Sequence, residues 1–75
     1  MSTPVIFRNF PDGDVIAFFP TEIGAPGYIM SYQKIGQHGD ASPELIDELE
    51  VSTEEQYRSL KLELETIGYK LGVLP

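Results

Sequence analysis

The side chains best suited to ligand chemistry are concentrated in one segment, residues 31–42. Its centre is a glycine-bracketed stretch, residues 36–39, with Lys34 just before it. Two glycines permit a turn in which successive backbone amides face one anion, and Gln37 and His38 add side-chain donors. The segment predicts either a turn that binds phosphate or carboxylate, or a tight turn with a solvated histidine.

His38 is the only histidine of the chain, and an imidazole is a common general acid or base near neutral pH. A nucleophile-base pair would need Ser31 or Ser42 beside the ring, and nothing in the spacing predicts that contact. The sequence also lacks a nucleophile motif and the lysine-serine context of a phosphate-binding loop. We therefore expect recognition rather than catalysis at this segment.

Arg8 stands among apolar residues of a predicted strand. A guanidinium can bind a carboxylate or phosphate with two parallel hydrogen bonds and can stack on aromatic rings. The alternative is a surface ion pair with one of the 12 acidic residues of the chain. If the first and third strands present the same face, Arg8 meets Tyr32 or Gln33.

Tyr28 and Tyr32 share one face of a predicted strand. Two such rings can form a stacking platform for a base, or they can be half-buried core residues with a hydroxyl at the rim. The candidate ligand-binding residues taken from the whole sequence are Arg8, Tyr32, Gln33, Lys34, Gln37 and His38.

The elements that must position these side chains are predicted mainly as strands. Residues 4–10 and 15–19 are rich in β-branched and aromatic residues, and they flank the turn Pro11-Asp12-Gly13-Asp14, so they predict a β-hairpin. Pro20 is expected to end the second strand because it has no N–H to donate. A third strand is predicted over residues 28–35, and residues 36–40 are expected to break it.

Residues 44–51 fit two patterns. Leu45, Ile46 and Leu49 have helical spacing, but the segment also alternates well enough to be a strand. We favour the strand, because it would complete an antiparallel meander.

One amphipathic helix is predicted after this segment. Its start has capping-box spacing, either Ser52 with Glu55 or Thr53 with Gln56, and Gly68 is a natural stop. The predicted apolar stripe contains Tyr57, Leu60, Leu64 and Ile67. A last strand is expected over residues 69–74. The prediction is a single α+β domain over residues 1–75: an antiparallel sheet of about four to five strands, in the order ββββαβ, with one helix packed on one face.

Composition excludes several classes of function. The chain has 75 residues, a net charge of −7 and no cysteine. Disulfides and thiolate metal sites are excluded, and the missing basic surface argues against nucleic acid and membranes as partners. The sequence has no signal-peptide pattern and no apolar run long enough to span a bilayer. We expect a cytoplasmic protein without a cofactor or a metal.

Self-association is expected from size and from the second strand. A domain this small, without disulfides or metal, often gains stability by oligomerisation. Phe18 and Phe19 are adjacent and point to opposite faces of their strand, and the helix can cover only one face. Leu62 lies off the apolar stripe of the helix as well. The sequence therefore predicts a homo-oligomer in which a partner subunit or a ligand covers the other face.

A family resemblance is carried by four groups of residues: Val5 to Arg8, Phe10 to Ala17, Ser31 to Gln33 with Ile35 to Gly39, and Thr53 to Tyr57 continuing to Tyr69. Over nearly its whole length the chain resembles a group of small uncharacterised proteins found in gut bacteria and in their phages and mobile elements. The resemblance implies an accessory gene of a kind that often acts against host defence. It implies no activity and no site residues.

The function expected from the sequence is a non-enzymatic binding module that sequesters a small anionic signal, such as a cyclic nucleotide, as a homo-oligomer in the host cytoplasm. The first alternative is an acidic inhibitor that mimics nucleic acid and binds a basic host protein through residues 44–55. The second alternative is a small enzyme.

Overall fold

A computed structural model of the chain describes residues 2–34 and 37–75. The elements in chain order are β1 Thr3–Asn9, β2 Val15–Ile23, β3 Ile29–Gln33, β4 Gln37–Ala41, α1 Leu45–Glu48, β5 Glu50–Val51, α2 Glu54–Ile67 and β6 Leu71–Leu74. The six strands form one sheet, and α2 packs against it. The predicted α+β class is confirmed.

The sheet has one continuous edge and one interrupted edge. Its strand order is β4-β3-β2-β1, with antiparallel pairing between these neighbours. Beyond β1, two short strands share the next position: β6 pairs in parallel with residues 3–6, and β5 pairs antiparallel with Arg8 and Asn9. Phe7 lies between these two pairings, so the sheet is interrupted beside it.

The hairpin of β1 and β2 is confirmed, with the predicted turn at residues 11–14. Gly13 has a φ of 95°, in the region that favours glycine. The side chain of Asp12 accepts a hydrogen bond of 3.0 Å from the Asp14 N–H. The prediction that Pro20 ends β2 is wrong. The pairing of β2 with β3 shifts register between Phe19 and Ile23, so the missing N–H of Pro20 interrupts no regular ladder there.

Both faces of the sheet are covered by the chain itself. On the face packed against α2, which we call the helix face, the core contains Val5, Phe7, Ala17, Phe19, Tyr32, Leu60 and Leu64. On the opposite face, which we call the second face, the core contains Ile16, Phe18, Ile29 and Ala41. Leu45, Ile46 and Leu49 pack over this second core. The apolar side of Phe18 therefore does not require a partner subunit to cover it.

The strand predicted for residues 44–51 is wrong for most of its length. Leu45–Glu48 forms one helical turn, and only Glu50–Val51 is strand. The N–H groups of Leu45 and Ile46 donate to carbonyls three residues earlier. Helical spacing brings all three apolar side chains of this segment onto the second core, whereas strand alternation would turn some of them to solvent.

The break predicted at residues 36–40 is also wrong over the part that the structure describes. Gln37, His38 and Gly39 are extended and pair with residues 33, 32 and 31 of β3. The ladder hydrogen bonds of this pairing outweigh the weak strand preference of glycine. The third strand is Ile29–Gln33, shorter than predicted, and Ile35 and Gly36 lie outside the described residues.

The bounds of α2 follow the sequence closely. Thr53 is the N-cap and forms a capping box with Gln56, and Gly68 is the C-cap with a φ of 125°. Leu60 and Leu64 are buried, but Ile67 is 53% exposed, so its place in the apolar stripe is wrong. Tyr69, which follows the cap, packs on the core instead and stacks on Phe19.

Candidate functional site

The six candidate residues do not form one site. Arg8 pairs with Ile16, and Tyr32 pairs with the next residue of β2, Ala17. Because consecutive residues of a strand point to opposite faces, Arg8 lies on the second face and Tyr32 on the helix face. The contact between Arg8 and Tyr32 that the sequence allowed is therefore absent. The candidates fall into three groups: Arg8 alone, Gln33 with Lys34 and Gln37, and Tyr32 with His38.

Arg8 is buried, with only 8% of its surface exposed. Its Nε donates to the Ile46 carbonyl at 2.8 Å, and its Nη1 donates to the Phe7 carbonyl at 3.0 Å. Among the described residues no carboxylate pairs with this guanidinium, so the predicted surface ion pair is wrong. The α1 turn positions the Arg8 side chain, because the carbonyl of Ile46 in this turn accepts its hydrogen bond at the sheet edge. Burying a cation without a counter-ion costs free energy. A guanidinium has five N–H donors, and the two hydrogen bonds above use only some of them.

A cavity of about 350 Å³ lies at the interrupted sheet edge, and Arg8 is one of its walls. We call it the Arg8 cavity. It is lined by Phe7, Arg8, Val51, Ser52, Glu54, Tyr57, Val73, Leu74 and Pro75. Its volume is in the lower range of small-molecule pockets, and a mainly apolar wall with a few polar groups is typical of such pockets. The ring of Tyr57 stacks on that of Phe7, with centroids 4.3 Å apart.

Ser52 is the second polar feature of the Arg8 cavity. It is 6% exposed, and its buried Oγ has no hydrogen-bond partner in the part of the chain that the structure describes. The Ser52 N–H donates to the same Phe7 carbonyl that Arg8 binds, at 3.3 Å. Sequence reasoning missed Ser52 as a site residue. One signal in the sequence could have indicated it, because both Ser52 and Thr53 have capping-box spacing and only one of them can be the N-cap. Since Thr53 is the N-cap, the hydroxyl of Ser52 is not needed to cap the helix.

A second cavity, of about 310 Å³, contains three of the candidate residues. We call it the Lys34 cavity. Gln33, Lys34 and Gln37 line it together with Asp14 and Val15. Gln33 and Gln37 pair directly across β3 and β4, so this part of the candidate site is brought together. Two amides, an ammonium and a carboxylate can bind a polar ligand through hydrogen bonds, but the Asp14 carboxylate opposes a second anion.

His38 lies on the helix face, exposed, between two tyrosines. Its ring meets Tyr32 edge-on, with centroids 4.7 Å apart, and its Nε2 is 3.4 Å from the Tyr69 hydroxyl. Ser31 pairs with Gly39 and donates to its carbonyl at 3.1 Å, on the other face of the sheet. The side chain of Ser42 donates to Glu44. The described contacts thus bring neither serine to His38.

Tyr32 has a structural position rather than an open one. It is 1% exposed, and its hydroxyl donates to the Glu63 carboxylate on α2. Tyr28 is outside β3 and exposed, so the two rings do not form the stacking platform that the sequence allowed. Tyr32 is therefore a core residue, which was the second of the two interpretations that the sequence allowed.

The surface charge is unevenly distributed. Between α1 and the start of α2 all acidic side chains are exposed, and no basic residue occurs among them: Glu44, Asp47, Glu48, Glu50, Glu54 and Glu55. Within residues 2–34 and 37–75, no group of three or more His, Asp or Glu side chains has the arrangement of a metal site. None of the described helices is long and apolar enough to cross a membrane.

Comparisons of the chain with protein-family models, with curated proteins and with solved structures give no match. The function must therefore be argued from the geometry of the cavities and the surface alone.

Proposed function

We propose that this protein is a non-enzymatic binding module that sequesters a small anionic ligand of the nucleotide type, acting as a homo-oligomer in the cytoplasm of a host cell. The observation that supports the proposal is Arg8, a buried arginine that has no carboxylate partner among the described residues and that lines a cavity of about 350 Å³. A phosphate or carboxylate bound there would supply the missing counter-ion and accept the remaining guanidinium hydrogens.

The other walls of the Arg8 cavity suit the rest of such a ligand. Ser52 offers an unused hydroxyl, and Tyr57 with the neighbouring strand ends offers apolar surface for a sugar or base. Glu54 also lines the cavity and repels additional negative charge. We therefore expect a ligand with one or two charges, such as a nucleoside monophosphate or a cyclic nucleotide, to bind more tightly than a triphosphate.

Thermal unfolding with a panel of anions tests the proposal. The panel contains adenosine monophosphate, adenosine triphosphate, cyclic dinucleotides, ADP-ribose and inorganic phosphate. A ligand at about ten times its Kd adds roughly 1.4 kcal/mol of stability, and this raises the Tm of a domain of this size by about 5–10 °C. If no member of the panel raises the Tm, the proposed ligand class is wrong.

Three variants locate the binding site. Arg8→Lys keeps the charge but loses the forked donor, and Ser52→Ala removes only the unused hydroxyl; both should reduce the ligand-induced Tm shift. Arg58→Lys, on the exposed side of α2, is the matched control and should leave the shift unchanged. A shift that survives both cavity variants but is lost in Lys34→Ala would move the ligand to the Lys34 cavity.

The acidic surface favours the second candidate, an inhibitor of a basic host protein. The exposed carboxylates between Glu44 and Glu55 form a continuous acidic segment over α1, β5 and the start of α2. Such a surface steers basic partners by long-range attraction. Replacing Asp47, Glu48 and Glu50 by Asn, Gln and Gln should abolish capture of a basic partner, while the anion-induced Tm shift stays intact. If the original protein and the triple variant capture the basic partner equally well, this candidate is contradicted.

A further inference from the structure

We infer that β4 is a dimerisation edge, along which a second copy of this chain adds its own β4 in antiparallel orientation. Among the strands that the structure describes, β4 is the last one on its side of the sheet, and β3 is its one neighbour. An edge strand presents unpaired backbone N–H and C=O groups that can pair with another strand. Natural edges are often protected by charged side chains, proline, bulges or short length. Gln37–Ala41 contains no lysine or proline and keeps a regular register with β3, and its one carboxylate is Asp40.

The opposite side of the sheet is not equivalent. There the edge is divided between β5, with two residues, and β6, and the Arg8 cavity lies between them. A partner strand cannot form a continuous ladder across that interruption. The described part of the sheet therefore has one side suited to strand addition, and it is β4.

The sequence of β4 is complementary to itself. When two copies pair antiparallel around Gly39, His38 of each copy lies opposite Asp40 of the other, and Gln37 lies opposite Ala41. Both His38 and Asp40 are exposed and point to the same face. In the single chain the His38 ring contacts Tyr32 and Tyr69, and the Asp40 carboxylate lies against Gly24, so both side chains would turn toward the partner strand when the dimer forms. Directly opposite side chains in an antiparallel pair are neighbours, and a histidine opposite a carboxylate is favourable. A two-fold axis through Gly39 would form this pair twice, which favours a second copy of the chain as the partner.

Glycine suits the centre of such an interface. Gly39 has no positive φ, and a Cβ added there would have Ser31 Oγ at 3.9 Å, an ordinary contact. Residue 39 of one copy would face residue 39 of the other. The interface is small compared with stable dimers, so we expect a weak dimer that forms at high concentration.

This inference deepens the self-association in the proposed function but does not involve the Arg8 cavity. The experiment therefore uses no ligand, and either proposal can fail while the other stands. Gly39→Cys introduces a cysteine at the two-fold axis of a chain that has none. The Cα separation of cross-strand pairs is within the range that a disulfide needs. The control is Ser59→Cys, on the exposed side of α2.

Both proteins are oxidised at about 100 µM and at physiological ionic strength, where the net charge of the chain is screened beyond about 8 Å. Gly39→Cys should convert mostly to a covalent dimer that keeps the thermal unfolding of the reduced protein, and Ser59→Cys should stay mostly monomeric. Equal cross-linking of the two variants, or none in Gly39→Cys, would overturn the inference.

Sedimentation gives a second readout that does not depend on the new cysteine. His38→Asp places like charges opposite each other at both symmetric positions and should raise the dimer dissociation constant about tenfold. Ser59→Asp adds the same charge away from β4 and should change the constant less than twofold. A monomer at all concentrations, or equal effects of both variants, contradicts the β4 interface.

Discussion

The Nε of Arg8 donates a hydrogen bond of 2.8 Å to the backbone carbonyl of Ile46, and this bond joins the sheet edge to the α1 turn. Arg8 and Ile46 are 38 positions apart in the sequence. The bond fixes the side chain of a residue that lines the Arg8 cavity, and among the described residues no carboxylate pairs with it. Whether Arg8 contributes mainly to stability or mainly to binding is therefore a measurable question.

Arg8→Met should change the free energy of unfolding in the absence of ligand by no more than about 1 kcal/mol. The Ile46 carbonyl loses its Arg8 donor, and the Phe7 carbonyl loses one but keeps the Ser52 N–H. In return, an uncompensated buried charge is replaced by an apolar side chain of similar length. Urea unfolding measures the difference, with Arg58→Met as the exposed control. A loss greater than about 3 kcal/mol would mean that the guanidinium is a structural residue, and would weaken the binding proposal.

Tyr32→Phe should lower the free energy of unfolding by about 1–2 kcal/mol, because the buried hydroxyl donates to the Glu63 carboxylate and ties β3 to α2. Glu63→Gln keeps an acceptor and should cost less. In a double-mutant cycle the two changes should be non-additive, since both act on the same hydrogen bond. Additive effects would mean that the two side chains stabilise the fold independently.

Gly13→Ala should destabilise the protein by about 1–2 kcal/mol, because the φ of 95° at the hairpin turn is unfavourable for a residue with a Cβ, although the space around it is open. Gly39→Ala is the matched substitution in β4, where φ is not positive and the added Cβ fits. It should be neutral or slightly stabilising, since glycine weakens a strand. Thermal unfolding compares the two variants, and equal losses would contradict the argument from φ.

Gln56→Ala should destabilise the protein by about 1–2 kcal/mol. The Gln56 side-chain oxygen accepts from the Thr53 N–H at 2.9 Å and from Asn9 Nδ2 at 2.7 Å, so it closes the capping box and joins α2 to β1. Gln56→Glu keeps both acceptor roles and adds a negative charge near the helix N-terminus, so it should retain most of the stability. Hydrogen exchange in the first turn of α2 reports both changes, and equal protection in the two variants would rule out the bridging role.

Local signals predicted the hairpin and the main helix well. Turns and helix caps are formed by interactions between residues that are close in the sequence, so residue types alone can predict them. The examples here are the turn at residues 11–14 and the capping residues Thr53 and Gly68. Residues 44–51 were ambiguous because Leu45, Leu49 and Val51 alternate as in a strand, whereas Leu45, Ile46 and Leu49 have helical spacing. Only the presence of an uncovered second face of the sheet selects the helical turn.

The candidate site was predicted in part. Gln33, Lys34 and Gln37 do line one cavity, because a hairpin brings neighbours in sequence together. The sequence allowed Arg8 to meet Tyr32 or Gln33. Arg8 does not meet Tyr32, because pairing with adjacent residues of β2 places the two side chains on opposite faces. A shift of one residue in register would have reversed that result, and no local pattern specifies it.

The sequence by itself determined the α+β class, the turn and cap positions, the acidic charge and the absence of disulfides, since these depend on residue types and short-range backbone chemistry. The tertiary structure decided that Arg8 is buried with no carboxylate partner in the described part of the chain, and that Ser52 and Tyr57 line the same cavity. It also decided that α1 covers the second face and that β4 forms the continuous sheet edge. Each of these depends on the register and packing of segments far apart in the chain, which are set by the burial of both sheet faces together.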